Sequence, residues 1–208
     1  MEIFTFDQRS PDWFQARAGV PTASAFATIL ASGRDGGESR TRRAYLLKLA
    51  GEILTGEPMD SYENQHMVRG RAMEEEARDL YAFLSPDPLL RVGFIKNGAK
   101  GCSPDSLVGD SGMVEIKTKL PHLAIDVLLK DEFPAEYRAQ CQGALWVAER
   151  EWIDLLVYWP GLPLFAKRAY RDERYIAKLA LAVDAFNAEL YETVVRVRGY
   201  DAAARTTS

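Results

Sequence analysis

Apolar residues return at helical spacing in some stretches of this chain and alternate or cluster at strand spacing in others. The clearest helical stripe closes the sequence. Ile176, Leu179, Val183, Phe186, Leu190 and Val194 predict a helix over about 172–197 with one face turned to the core. Ser10-Pro11 opens a short helix to Arg17, because a capping hydroxyl followed by proline is a helix start. Further helices are predicted over 22–31, over 42–55 with a stop at Gly56, over the acidic 63–84 ending before Ser85-Pro86-Asp87-Pro88, and over 136–148. Strands are predicted over 89–95, 107–108, 113–117, 124–129, 153–159 and 164–170, the last two around Pro160-Gly161. Helices, antiparallel strands, a helix, more strands and a closing helix imply an α/β fold: a mixed central sheet flanked by helices, with N-terminal helical additions. The length favours one domain over 1–208, with a helical part to about 60, a core over about 61–170 and the closing helix over about 172–198.

Composition narrows the function classes. There is no apolar run of membrane-spanning length, and the chain opens on Met1-Glu2-Ile3-Phe4-Thr5-Phe6-Asp7, which is no signal peptide; a soluble, cytoplasmic protein is expected. Two cysteines, Cys102 and Cys141, exclude a disulfide framework, a four-cysteine zinc site and a four-cysteine iron–sulfur cluster. The net charge of −4 gives no global footprint for nucleic acid, yet Arg34, Arg40, Arg42 and Arg43 crowd one glycine-rich segment. That segment reads either as a local phosphate contact or as a solvated loop running into a helix.

The chemistry concentrates around one hairpin. Leu107-Val108 and Met113–Lys117 flank the turn residues Gly109-Asp110-Ser111-Gly112. The period of two puts Glu115 and Lys117 on one face of the second strand and Ile116 on the other, and Asp105 opens the first strand within reach of that face. Two carboxylates beside an amine suit a hard divalent cation held against a phosphodiester, since Mg²⁺ takes oxygen ligands and leaves room for phosphate and water. The amine can orient or deprotonate an attacking water, or add positive charge where the transition state gathers negative charge. A surface hairpin with a cross-strand ion pair has the same composition, so Glu115-x-Lys117 does not decide the matter by itself. Gln140 and Gln142 add amides that can hold phosphate or water.

Several segments together resemble a known family. Pro104-Asp105, a spacer and Glu115-Ile116-Lys117 form a PD-(D/E)XK nuclease signature, and the neighbouring pieces are similar to the lambda exonuclease, or YqaJ-like viral recombinase, branch. Trp13-Phe-Gln-Ala-Arg-Ala-Gly-Val-Pro-Thr-Ala-Ser24, Gly70-Arg-Ala-Met-Glu-Glu-Glu-Ala77, Cys102-Ser-Pro-Asp105, Glu115-Ile-Lys117 and Tyr137-Arg-Ala-Gln-Cys-Gln142 run in family order. The resemblance implies a restriction-endonuclease-like core in which Asp105 and Glu115, with the backbone carbonyl of Ile116, ligate metal and Lys117 serves the water. Glu74 would hold a second ion, standing four residues after Gly70, although Glu75 and Glu76 are its neighbours. Arg17, Ser24 and Ser103 match positions that receive a terminal 5′-phosphate, with Gln140 completing the phosphate or metal shell and Tyr137 packed close by. Trp13 reads as a core anchor, His66 as a further candidate ligand that the family pattern does not require, and Met67 as either a strand-splitting wedge or buried packing.

On this resemblance the chain is expected to be a Mg²⁺-dependent exonuclease, with two ions that Mn²⁺ can replace. It would digest one strand of duplex DNA from a 5′-phosphorylated end to mononucleotides, leaving 3′ tails for recombination. The expected partners are double-stranded DNA ends, a single-strand annealing protein and two further copies in a homotrimeric ring, in the bacterial host of a phage or prophage. Two rivals stay open: a restriction-type endonuclease with the same metal chemistry, and an inactive DNA-end-binding module. An adaptation nuclease of the CRISPR-associated kind would need a cysteine cluster that this chain lacks.

Overall fold

The computed structural model describes residues 1–33, 37, 39–59 and 65–200; the side chains of 65–69 and 71 lie outside that description. The helices follow from their caps and stripes. Helix α1 (Pro11–Arg17) starts where the Ser10 side chain accepts from the Trp13 amide, with proline in the first turn. A 3-10 turn, Ala23–Ala25, leads into α2 (Phe26–Leu30), so the stretch expected as one helix is a turn followed by a helix. Ser39 caps α3 (Arg40–Thr55), and Gly56 ends it at φ 75°, a left-handed position that glycine adopts without strain. The acidic α4 (Gln65–Leu84) precedes every sheet strand but the first. Its interior residues Met73, Ala77 and Tyr81, spaced by four, are all buried.

Two sheets form among the described residues. The small one orders β1 (Glu2–Phe4), β3 (Phe94–Asn97) and β4 (Lys100–Cys102), all antiparallel. The larger one orders β2 (Leu89–Leu90), β5 (Ser106–Val108), β6 (Gly112–Thr118), β7 (Trp152–Tyr158) and β8 (Phe165–Tyr170). Only the β6–β7 pair is parallel, with Glu115 opposite Leu155 and Lys117 opposite Val157. Between them run α5 (Pro121–Lys130), a 3-10 turn and α6 (Arg138–Ala148), the long crossover that a parallel pair requires. The mixed sheet flanked by helices agrees with the expected fold class.

The core has two sides. Met113, Ile153 and Leu155 join α2, α3, α6 and α7 (Glu173–Arg198), whose six-residue stripe is buried throughout as its spacing predicts. Val114, Ile116, Leu156 and Tyr158 face α4 instead. The β6 alternation thus sends Ile116 to one layer and Glu115 to the other, which brings Glu115 under α6.

Three expectations need correction. Residues 124–129 are not a strand. They lie in α5, where Leu120-Pro121 starts a helix, Ala124 and Val127 face inward, and Asp126 pairs with Lys130 one turn on at 2.6 Å. The stretch 89–95 is two strands in different sheets, broken at Gly93. A Cβ on Gly93 would stand 2.1 Å from the Phe6 carbonyl oxygen, so the backbone just after β1 comes closer here than any side chain allows. Gln142 is buried and donates to the Tyr170 carbonyl while accepting from the Asp172 amide, each at 2.8 Å. Its amide braces the β8–α7 connection and is spent there.

Candidate active site

The chain passes from the small sheet to the large one through Ser103-Pro104-Asp105, and this linker sets the site. Gln8, in the loop after β1, clamps it by donating to the Pro104 carbonyl at 2.9 Å and to the Val92 carbonyl at 3.1 Å. Ser103 and Asp105 then line one cavity of about 210 Å³ together with Glu115, Lys117, Glu74 and Gln140, and with Arg17 and Ser24 at its other end. Ile116 also lines it.

At the acid end, Asp105 accepts a 2.6 Å hydrogen bond from the Ile116 amide. Glu115 is 5% exposed. One of its oxygens accepts from the Gln140 amide at 2.5 Å and pairs with the Lys117 ammonium at 2.8 Å. Burial raises the Asp105 carboxyl well above the usual range, and the charges of Glu115 and Glu74 push it the same way. Burial also raises Glu74, against the pull of Arg9 and Arg78. For Lys117 burial acts downward, but Glu115 and Asp105 outweigh it and hold the ammonium firmly charged. Tyr137 lies between two ammonium groups, 5.3 Å from Lys117 and 5.2 Å from Lys119.

The helix acids separate cleanly. Glu74 turns into the cavity, its Oε1 3.9 Å from the Arg9 Nη2. Glu75 is held by Arg78 at 2.8 Å and by Arg91, and Glu76 accepts from the Tyr158 hydroxyl at 2.9 Å. Successive helical residues point about 100° apart, so only one of the three can face the site.

The other end is built from neutral donors around one cation. Trp13 donates its indole N–H to the Gly93 carbonyl and the Ser103 hydroxyl, both at 2.9 Å. Arg17 donates to the same hydroxyl at 3.2 Å and lies 4.0 Å over the Trp13 ring. Trp13 is therefore half-buried support for this pocket rather than a member of the core clusters. A parallel bridge between Thr22 and Gly101 fixes the turn that carries exposed Ser24, whose hydroxyl lies 3.2 Å from that of Thr22.

The arginine-rich segment is placed differently. Arg42 pairs with Glu189 on α7 at 2.6 Å and covers Phe186, and Arg43 reaches the same carboxylate at 3.5 Å. Arg40 is exposed at the start of α3. Arg34 and the side chains of His66 and Met67 lie outside the described residues. Sequence reasoning missed Gln8 and Arg9, which line the cavity from a loop where no periodicity could mark them.

The donor set fits a hard divalent cation that also takes exogenous ligands. Among the described residues, no three acidic, histidine or cysteine side chains stand together as a finished metal cage. Glu115 is close enough for its charge to disfavour ionisation of Asp105, and Glu74 acts on Asp105 in the same direction. Mg²⁺ or Mn²⁺ needs no more than one or two carboxylates when phosphate and water complete the shell.

A family profile, the YqaJ-like viral recombinase domain, matches residues 12–151. The fold is similar to that of an alkaline exonuclease, LHK-Exo, from Laribacter hongkongensis. The match has 31% identity over 91% of this chain and 96% of that one, at TM-score 0.81. The same protein in complex with dAMP matches at TM-score 0.82, with the same identity and coverage. A phage related exonuclease from Haemophilus somnus 129PT shares the fold at 15% identity and TM-score 0.63, covering 86% of this chain and 96% of that one. Among curated proteins none matches.

Proposed function

This chain belongs to the YqaJ-like viral recombinase domain family, and on that premise we propose that it is a Mg²⁺-dependent 5′-to-3′ exonuclease acting on duplex DNA. One observation supports the reading: Arg17, Ser24 and Ser103, donors suited to an anion, line the same cavity as Asp105, Glu115 and Lys117. A terminal 5′-phosphate held in the first puts the adjoining phosphodiester at the second, which makes release of one nucleotide the natural outcome. The capture of dAMP by the similar LHK-Exo agrees with such a product.

In this reading Asp105, Glu115 and Glu74 hold one or two Mg²⁺ ions, with the Ile116 carbonyl as a further ligand. The metal, when bound, supplies a polarised phosphoryl oxygen and a more acidic water. The protein does the rest. Gln140 orients Glu115 by donating to it, and Lys117 stays protonated beside Glu115, where it meets charge growing on the phosphate. The rest of the reading leans on family membership: 3′ tails handed to an annealing protein, a homotrimeric ring around the duplex, and a phage or prophage setting in a bacterial cytoplasm.

The test compares linear duplexes bearing 5′-phosphate or 5′-hydroxyl ends with covalently closed circles, each with and without Mg²⁺. Mononucleotides should appear only from linear DNA, only with metal, and fastest from phosphorylated ends. Cutting of closed circles would establish the restriction-type rival. Binding to ends without turnover in any divalent metal would establish the inactive module.

A further inference from the structure

Arg9 has a backbone that its residue type resists. Three non-glycine residues among those described have positive φ. Two of them, Asp131 and Glu149, close helices in the left-handed conformation common at helix ends. Arg9, at φ 70°, caps nothing. It is the third residue of a β-turn closed by the Ser10 amide donating to the Asp7 carbonyl at 3.1 Å, a position that turns with positive φ reserve for glycine or asparagine. Its neighbours hold it there: Gln8 is clamped to Val92 and Pro104, and Ser10 caps α1. Strain of this kind persists where surrounding contacts over-determine it, and it gathers at working sites.

The position gives the strain a purpose. Arg9 lines the active cavity and also a second cavity of about 250 Å³, which shares Glu74 and Asp105 and is bordered further out by Arg78 and Arg91. Its guanidinium faces Glu74 at 3.9 Å, within ion-pair range but beyond a hydrogen bond, whereas Glu75 is tightly held by Arg78 and Arg91. Arg17 stands at the opposite end, against Ser103. The acid centre is therefore flanked by one arginine on each side.

We propose that Arg9 grips a backbone phosphate of the strand being digested, on the side of the acid centre away from the Arg17 pocket. This rests on the exonuclease reading and adds a substrate-contacting residue to it. The phosphate is either the one being cleaved or the next along the strand, and a guanidinium fork suits both.

Arg9→Gly is the decisive variant, because glycine relaxes the turn and removes the fork together. With phosphorylated linear duplex and Mg²⁺, kcat should fall about 100-fold, the scale for one lost transition-state donor. Melting temperature should hold or rise. Methylguanidinium in the buffer should restore part of the rate, and Arg9→Lys should retain more activity than Arg9→Gly. A neutral methylphosphonate at the second internucleotide linkage distinguishes the two phosphates. If it slows the wild type but not Arg9→Gly, the residue holds the next phosphate; if it affects both equally, the residue holds the one being cleaved. An Arg9→Gly enzyme with wild-type kcat would overturn the proposal and leave Arg9 a turn residue. Internal cutting by the wild type would instead sink the exonuclease reading, and the ratio of Arg9→Gly to wild type on that reaction would still judge Arg9.

Discussion

The two ends of the active cavity are held by opposite economies. At the Arg17 end every group is in a favourable contact: the indole of Trp13 supports Ser103, Ser103 accepts from Arg17, and Arg17 rests on the Trp13 ring. At the acid end Asp105, Glu115 and Glu74 oppose one another, relieved by Lys117, Gln140 and the Ile116 amide. One end stabilises the fold as it stands, and the other lowers its stability, which in the proposed reading a bound cation restores. A binding pocket can be pre-formed from satisfied groups, whereas a site for a divalent ion must keep charge unsatisfied in order to hold one.

The largest effect that would break this contrast is Asp105→Asn. Cleavage should fall by about 10³-fold or more, read as nucleotide release in Mg²⁺. Stability should move the other way, with a rise of about 2–4 °C in melting temperature in metal-free buffer near pH 7. The sign follows from the raised pKa values. Asp105 and Glu74 sit above their unfolded values, so their contribution is fully present below the ordinary carboxylate range and is lost as pH climbs through their folded values. Wild-type stability in chelator should therefore drop more steeply between acid and neutral pH than that of Asp105→Asn. Mg²⁺ should recover the loss in the wild type alone, because it binds the ionised form. A variant less stable than wild type at neutral pH would end the contrast.

Arg17→Ala comes next and sharpens it from the other end. Losing the fork should slow digestion of 5′-phosphorylated ends by about 10²-fold and leave 5′-hydroxyl ends little changed. Stability should fall here, since the stacked guanidinium leaves Trp13 uncovered. Equal losses on both kinds of end would show that Arg17 serves the fold rather than the terminus.

A smaller effect tests how α4 is placed. Tyr158 reaches from β7 to Glu76, two residues past Glu74 on the same helix. Tyr158→Phe should cost about 1 kcal/mol of stability, the net worth of a hydrogen bond, and reduce kcat several-fold with KM unchanged. Denaturant melts and steady-state kinetics on the same preparation check both.

How much of this the sequence announced depends on the residue. The α7 stripe and the Glu115/Lys117 face were legible because a period fixes direction: the structure buries the whole stripe and pairs Glu115 with Lys117 on one face of β6 at 2.8 Å. Residues 124–129 misled because Ile125, Val127, Leu128 and Leu129 around Asp126 satisfy a strand and one helical face alike, and only the preceding proline signals a helix. Strands β1 and β4 have three residues each, too few to show alternation. The choice among Glu74, Glu75 and Glu76 needed partners from Arg91 and Tyr158, both remote in sequence. Arg9 was invisible for another reason: its signal is a backbone angle, and no residue type encodes that.

The smallest prediction concerns the segment that looked most like a nucleic-acid contact. Arg42 and Arg43 share the Glu189 carboxylate, and Arg42 covers Phe186, so the pair ties α3 to α7. Arg42→Ala should lower stability by about 0.5–1 kcal/mol, the range for a partly exposed ion pair, and leave the rate on phosphorylated ends unchanged. Affinity for duplex should keep its wild-type slope against salt, because a side chain held by Glu189 releases no counterions from phosphate. A shallower slope in Arg42→Ala would return this arginine to the DNA surface, and charge clustering would then have read the segment better than the ion pair does.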